Sequence, residues 1–179
     1  FLDFSKNIID KETFELLLEL CENCELKKNI NSLFNGDKIN ETENRSVLHT
    51  ALRDFNLNSE IGKELLSDRQ KIKKFTSDIL SGKTKGSTNK KITDIVNVGI
   101  GGSDLGPNMV IESLRFYRTE LNCHFVSNVD GDHLSEILKV INPETTLFVI
   151  VSKTFTTQET LTNATVSYTH LRAHETSID

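Results

Sequence analysis

The chain has 179 residues, 36% of them hydrophobic and 26% charged, which is typical of a folded globular protein and too apolar for disorder. Its net charge of -5 argues against nucleic-acid binding, because no basic face would outweigh the acidic background. The longest apolar run, Leu147 to Val151, is too short to cross a membrane, and the start lacks the pattern of a secretory signal. Because the chain begins at Phe1 rather than Met, we expect its natural start to lie upstream.

Neither the cysteines nor the histidines have the spacing of a metal site. Cys21 and Cys24 lie three apart on a predicted helix, but no second pair of ligands follows at zinc-like spacing. His170 and His174 are four apart and Glu175 follows, but the order differs from H-E-x-x-H and no third ligand is evident. We therefore expect no metal, and reduced thiols in a cytoplasmic protein.

Residues 1–85 are predicted to form a helical region. Apolar residues recur at helical spacing over Lys11 to Cys24, continuing through Leu26 to Phe34, and again over Val47 to Ala51 and Ser59 to Leu80. Asp10 is placed as an N-cap and Gly36 as a helix end. Residues 83–90, rich in Gly, Ser, Thr and Lys, indicate a surface linker.

After the linker, short apolar runs alternate with helical patterns. Strands are predicted at Ile92 to Val98, Leu121 to Ser127 and Thr145 to Val151, and helices at Leu105 to Tyr117, His133 to Ile141 and from Thr157 onward. This alternation is typical of an α/β fold with a parallel sheet and crossover helices. The strands lack in/out alternation, as expected when both faces of a sheet are buried.

A glycine-rich segment, 99–107, follows the first predicted strand. Its glycines allow a close backbone approach to a ligand and leave N–H groups to face an anion. The dinucleotide pattern G-x-G-x-x-G would need glycine at Asp104, which excludes a nicotinamide-dependent dehydrogenase. A P-loop would need Lys and then Ser or Thr where Pro107 and Asn108 stand. A tight turn without any ligand remains the structural alternative.

A second segment, 152–160, follows the third predicted strand and is rich in hydroxyl groups, with one ammonium group at Lys153. Hydroxyls, backbone N–H groups and a helix N-terminus can all stabilise a phosphate. The alternative is that these hydroxyls only cap the following helix. Since ligands bind beyond the carboxyl ends of parallel strands, two donor-rich segments at one edge favour a phosphomonoester site.

Five blocks of the sequence resemble the glucose-6-phosphate isomerase family, in that family's order. They are the glycine motif 97–107, the S-K-T-F-T-T-Q-E-T motif 152–160, and the supporting blocks 43–53, 127–131 and 142–146. The resemblance runs from about Phe4 to Val166. It implies two flavodoxin-like sugar-isomerase (SIS) domains behind a helical N-terminal region, of which residues 86–166 would be part of the first.

The resemblance also implies roles for particular residues. Ser152, Lys153, Thr154 and Thr157 would hold the sugar phosphate, Gly102 and Ser103 would line the same pocket, and Glu159 would orient the family's ring-opening histidine. The reaction would interconvert glucose 6-phosphate and fructose 6-phosphate, an aldose and a ketose, through an enediolate. It would need no metal and no nucleotide cofactor, because a glutamate base moves the proton.

The family's glutamate base, ring-opening histidine, and late lysine and arginine have no counterparts in this chain. We therefore expect an N-terminal fragment that is inactive by itself. His49, His124 and His133 have no family motif around them, and ordinary packing or surface roles are expected. In the family the ring-opening histidine comes from the second subunit, so the complete enzyme would be a homodimer.

The family pattern stops after Val166. Residues 167–179 resemble peptides translated from sequencing-adaptor DNA, so we expect a foreign, artefactual tail. The alternative function is a non-catalytic sugar-phosphate sensor built on the same SIS domain. The block 43–53 and the helical region favour the isomerase, because a sensor would more often carry a DNA-binding module.

Overall fold

The computed structural model describes residues 3–53 and 59–175, with side chains described as far as residue 172. The chain divides into two compact units, 1–71 and 72–179. The division falls inside a long helix, whereas the sequence places the end of the helical region at residue 85 and the end of the partial SIS domain at residue 166. Those boundaries stay predictions.

The first unit begins with two helices, α1 (Lys11–Asn23) and α2 (Leu26–Asn35). As predicted, the Asp10 carboxylate accepts the Thr13 N–H at 2.8 Å, and Gly36 ends α2 with a φ of +78°. The helical pattern is not continuous, however, because Glu25 has a φ of +50°. A left-handed residue cannot continue a right-handed helix, so the chain turns there before α2 begins.

The helix predicted over Val47 to Ala51 is wrong, because only a three-residue 3₁₀ turn, Ala51–Arg53, forms. Residues 46–48 have no regular structure, and the Ser46 hydroxyl instead donates to the Gly36 carbonyl at 2.6 Å. The long helix α3 (Glu60–Leu80) follows the prediction closely, and the Ser59 hydroxyl accepts the Gly62 N–H at its start. Such an acceptor satisfies a donor that has no partner within the helix.

A three-stranded parallel sheet lies in the second unit, as predicted. Its strands are β1 (Asp94–Val98), β2 (Asn122–Val126) and β3 (Thr146–Ile150), in the order β2-β1-β3. In the central register Val96 lies opposite His124 on one side and Phe148 on the other. The carboxyl ends of all three strands therefore lie at the same edge.

Crossover helices connect and follow the strands. They are α4 (Gly102–Ser113), α5 (Gly131–Val140) and α6 (Gln158–Glu175), with 3₁₀ turns at Arg115–Tyr117 and Pro143–Thr145. α4 begins three residues before the predicted Leu105 and ends four before the predicted Tyr117. α5 also begins earlier than predicted, because the Asp130 carboxylate accepts the Asp132 N–H and caps it.

The core of this unit lies around β1. Val96, Val98 and Val126 are fully buried, and Leu134 of α5 and Ile141 pack with them. Burial of this kind stabilises by about 25 cal/mol per Å² of apolar surface, which fixes the central strand and the edge where it ends.

The predicted surface linker belongs to the second unit, where its last residues contact Glu144. The Glu144 carboxylate accepts from the Lys90 ammonium and, at 3.4 Å, from the Thr88 hydroxyl. A Cβ added at Gly86 would lie 1.9 Å from the Glu144 carbonyl oxygen, so only glycine fits at that position. Residues 86–90 therefore lead into β1 along a fixed path.

Among residues 3–53 and 59–175, no helix is both long enough and apolar enough to cross a membrane.

Candidate functional site at the carboxyl edge of the sheet

The connections after β1 and β3 begin side by side. The Gly99 N–H donates to the Val126 carbonyl of β2 at 3.1 Å, and the Val151 N–H donates to the Val98 carbonyl at 2.8 Å. The parallel ladder thus extends one residue beyond β1 and one residue beyond β3, and it joins the ends of all three strands. The two donor-rich segments singled out from sequence leave the sheet at this shared edge.

Glycine at position 99 is required by space rather than by backbone torsion. A Cβ there would lie 2.8 Å from both Cβ and the carbonyl oxygen of Ser103, and 3.1 Å from the Val151 carbonyl oxygen. Two of these three neighbours are backbone atoms, which cannot move aside cheaply. Gly99 therefore allows β1, the start of α4 and the segment after β3 to meet closely.

The turn between β1 and α4 is shorter than the glycine motif. Only residues 99–101 lie outside the two elements, because α4 begins at Gly102. Gly101 has a φ of +60°, a conformation that glycine adopts without strain. Gly102 and Ser103 thus belong to the first helical turn, where N–H groups and the helix dipole favour an anion.

Two buried polar side chains accompany this first turn. The Asn97 side-chain amide donates to the Ser103 carbonyl at 3.0 Å. Asp104 is only 5% exposed, and its Oδ1 has no hydrogen-bond partner among the residues that the structure describes. The sequence analysis gave Asn97 no role and used Asp104 only to exclude a dinucleotide site. Both residues were missed because the sequence does not show that their side chains are buried.

The segment between β3 and α6 folds on its own hydroxyl groups. The Ser152 hydroxyl accepts the Phe155 N–H at 3.1 Å, and the hydroxyls of Thr154 and Thr156 lie 2.6 Å apart. Phe155 has a φ of +53°, which is uncommon for a residue with a side chain. Because Ser152 accepts in this bond, its own proton remains able to donate to a ligand.

The predicted phosphate-binding residues differ in exposure. Ser152 and Thr154 are half-buried, whereas Lys153 and Thr157 are exposed. Thr157 stands immediately before α6, and its carbonyl accepts the Leu161 N–H at 3.0 Å. Glu159 is exposed in the first turn of α6.

α6 connects this edge to the segment after β2. The Asn163 side chain is 3% exposed, and its amide donates to the Asn128 carbonyl at 2.8 Å. The block 127–131, which sequence analysis noted only as a supporting match, is thereby attached to the helix that follows residues 151–157. Asn163 itself was missed, since a polar residue inside a helical pattern gives no sign of burial.

The seven predicted site residues fall into two groups, on two segments that leave the sheet at neighbouring strand ends. Gly102 and Ser103 lie on α4, and the other five lie on the β3–α6 segment and the first turn of α6. A surface cavity of about 470 Å³ beside α6 contains none of the seven; it is lined by Thr156, Gln158, Leu161, Thr162, Thr165 and Val166.

A separate polar cluster lies at the opposite edge of the sheet, where β1 begins. His124 Nε2 lies 2.9 Å from Asp94 Oδ1. Burial raises the pKa of the Asp94 carboxyl, but hydrogen bonds from His124, Thr93 and Asn122, together with the charge of His124, lower that pKa overall. Burial raises the pKa of the neighbouring Cys123 thiol.

No group of three His, Cys, Asp or Glu side chains that could hold a metal ion lies within the described part of the chain.

The architecture defines a parallel α/β protein with donor-rich segments at the carboxyl edge of its sheet. The family model described as "Phosphoglucose isomerase" matches residues 3–178. The chain therefore belongs to the phosphoglucose isomerase family, and the resemblance seen in its sequence motifs is confirmed. The match takes in most of residues 167–179, whose foreign origin stays a prediction.

Two similar proteins carry the same family name. A glucose-6-phosphate isomerase from Christiangramia forsetii is 58% identical over 171 residues, covering 92% of this chain and 32% of that protein. The crystal structure of a glucose-6-phosphate isomerase from Chlamydia trachomatis D/UW-3/Cx has a TM-score of 0.69 at 30% identity, covering 93% of this chain and 33% of the other. This chain thus spans about a third of the length of these relatives.

Proposed function

We propose that the full-length protein carrying this segment interconverts glucose 6-phosphate and fructose 6-phosphate, and that this segment supplies its phosphate-binding part. The observation that carries the proposal is that two donor-rich segments begin side by side at one sheet edge, in a chain of the phosphoglucose isomerase family. The name of the 58% identical relative supports the same reaction.

In the proposed phosphate site, each residue type makes a different contribution to binding. Lys153 supplies the only formal positive charge between residues 151 and 160, and the hydroxyls of Ser152, Thr154 and Thr157 fix the orientation of the phosphate around it. Gly102 and Ser103 add the N-terminal turn of α4, whose dipole equals about half a positive charge. Several donors suit a phosphomonoester, whose three outer oxygens each accept hydrogen bonds.

Glu159 is proposed to orient the ring-opening histidine rather than to move the substrate proton. Its exposed position in the first turn of α6 leaves it accessible to a group from elsewhere in the complete protein. The base that transfers the proton between C2 and C1, and the histidine itself, are proposed to lie in the remaining two-thirds of the enzyme. We propose that this enzyme is a cytoplasmic homodimer that uses no cofactor and binds neither nucleic acid nor a membrane.

A sugar-phosphate sensor is the weaker alternative. The family match begins at residue 3 and includes the helical first unit, which a sensor built on a SIS domain alone would not need. The isomerase is therefore the function proposed.

Thr157→Ala in the full-length protein tests the phosphate role. Losing one neutral donor to a bound anion costs about 1.5 to 3 kcal/mol, so affinity for glucose 6-phosphate should fall about tenfold or more. Affinity for unphosphorylated glucose should hardly change. Calorimetry with both sugars measures the two affinities, and a coupled assay on the parent protein tests the reaction itself.

Thr165→Ala is the matched control, because Thr165 is an exposed threonine two turns further along α6 whose hydroxyl donates to the Leu161 carbonyl at 2.8 Å. It should leave both affinities unchanged. If Thr157 only caps α6, Thr157→Ala will lower the melting temperature and reduce the affinities for glucose 6-phosphate and glucose by the same factor. That result would contradict the phosphate role.

A further inference from the structure

The central strand of the sheet carries a buried amide at an unusual place. Asn97 lies between Val96 and Val98, which are both fully buried, and is itself only 9% exposed. Burying an amide without a hydrogen bond is unfavourable, because the bonds it made to water are lost, so a polar residue here requires a partner. Its side chain finds one outside the sheet, in the Ser103 carbonyl of α4 at 3.0 Å.

That carbonyl would otherwise be left without its helical donor. In an α-helix the carbonyl of residue 103 accepts the N–H of residue 107. Residue 107 is Pro107, which lies inside α4 and has no N–H. In a regular helix the proline ring also clashes with the carbonyl four residues before it.

Asn97 therefore takes the place of the donor that Pro107 lacks. The contact also needs Gly99, because a Cβ at position 99 would lie 2.8 Å from the same Ser103 oxygen. Three residues of the glycine motif, at positions 97, 99 and 107, thus act on a single backbone carbonyl.

We propose that Asn97 is a positioning residue for Ser103: its amide replaces the N–H missing at Pro107 and fixes the first turn of α4 on the end of β1. The direction of that turn is then set by the rigid central strand rather than by the helix's own hydrogen-bond ladder. The functional consequence rests on the proposed function, since Gly102 and Ser103 are the residues whose orientation toward a sugar phosphate would depend on this bond.

A double-mutant cycle in the full-length protein tests the compensation. Asn97→Ala removes the side-chain donor, Pro107→Ala restores a backbone donor, and the double variant combines them. We expect Asn97→Ala alone to raise KM for glucose 6-phosphate about tenfold with kcat nearly unchanged, because a binding group is displaced rather than a reacting one. In the Pro107→Ala background the same substitution should raise KM less than about twofold, and Pro107→Ala alone should change it little.

The melting temperature of the same four proteins gives a readout that needs no substrate. The loss caused by Asn97→Ala should be smaller in the Pro107→Ala background, because the Ser103 carbonyl then keeps a donor. Asn97→Leu, which is close to asparagine in shape but has no donor, should follow the same pattern, and this separates the lost hydrogen bond from a cavity.

Equal losses of Tm in both backgrounds would overturn the compensation. Coupling in Tm without coupling in KM would overturn the positioning role. If the Asn97 variants fail to fold, folding restored by Pro107→Ala supports the proposal, and failure in both backgrounds overturns it. A parent protein that does not bind glucose 6-phosphate would refute the proposed function. The melting temperatures of the four proteins would still show whether Asn97 compensates for the donor that Pro107 lacks.

Discussion

Single residues at the carboxyl edge are constrained by their neighbours to very different degrees. Gly99 has backbone atoms within 3.1 Å of the position where a Cβ would stand, whereas Gly106, one turn into α4, has nothing within 4 Å apart from its own helix. The two glycines of this motif therefore have different structural roles. Gly99 makes room for a contact between elements, and Gly106 occupies an ordinary helical site.

Gly99→Ala should destabilise the protein by about 1 to 3 kcal/mol, because the added methyl forces the Ser103 and Val151 backbones apart. Denaturant unfolding measures this loss. Gly106→Ala is the matched control, and it should be neutral or stabilising by up to about 1 kcal/mol, since glycine is a poor helix former. Equal stabilities for the two variants would contradict the close packing at Gly99.

At the opposite edge, the Asp94 carboxylate should stabilise the fold in a pH-dependent way. Its pKa in the folded protein lies below the ordinary value of 3.8, so the unfolded chain binds the proton more readily. The contribution is therefore fully present above pH 3.8 and is lost as the pH falls through the lower, folded-state pKa.

Asp94→Asn should accordingly lower stability near neutral pH, and its difference from the parent should shrink on acidification below the ordinary pKa. Urea unfolding across that range measures the difference. Asp37→Asn serves as control, because Asp37 is exposed after α2. A deficit for Asp94→Asn that stays constant down to the most acidic pH would contradict this account.

At the scale of elements, β3 is one of the two edge strands of the described sheet, and one of its sides is unpaired. Among the described residues it pairs only with β1, and Val149 is 38% exposed although the four residues 147–150 are all apolar. Unpaired backbone groups along such a strand are a template for pairing with another chain. The same holds for β2, whose residues at the start of the strand are more polar.

We therefore expect the 179-residue polypeptide to self-associate through β3. Size-exclusion chromatography should show species that grow with concentration, and Val149→Lys should suppress them, since lysine on an edge strand opposes pairing. Val166→Lys, an exposed position on α6, controls for added charge. A stable, sharply melting monomer at every concentration would count against this expectation.

The helix α6 passes Val166 without interruption. Ser167 is 2% exposed, and its hydroxyl donates to the Asn163 carbonyl at 2.8 Å, so the helix remains packed at the point where the sequence motif ends. The sequence motif thus ends at Val166, whereas the helix continues to Glu175. A helix requires only compatible residues and a surface to pack on.

At the scale of the whole molecule, the chain spans about a third of the length of its relatives. We expect the polypeptide of these 179 residues to show no isomerase activity, because the glutamate base and the ring-opening histidine are proposed to lie in the remaining part of the full-length protein. Positioned acid–base groups contribute about two to four powers of ten each. A coupled assay against the full-length protein measures this, and turnover near that of the complete enzyme would refute it.

The sequence by itself determined the family and the elements marked by short apolar runs or by apolar residues at helical spacing. The mostly apolar runs ending at Val98 and Val151 predicted β1 and β3 to within two residues, since strands of a parallel sheet are buried on both faces and read as short apolar runs. The Asp10 cap and the Gly36 helix end were also predictable, because each depends on one residue and its own backbone. The ordered motifs identified the family in the same local way.

Only the tertiary structure decided how these elements meet. Glu25 and Phe155 have left-handed backbone, a conformation that their residue types do not favour and that the local sequence therefore does not predict. The bond from Asn97 to Ser103 joins residues of a strand and a helix, and that from Asn163 to Asn128 spans 35 positions. Such contacts depend on the relative placement of elements, which the periodicity of a sequence does not encode, because periodicity specifies a buried face and not its partner.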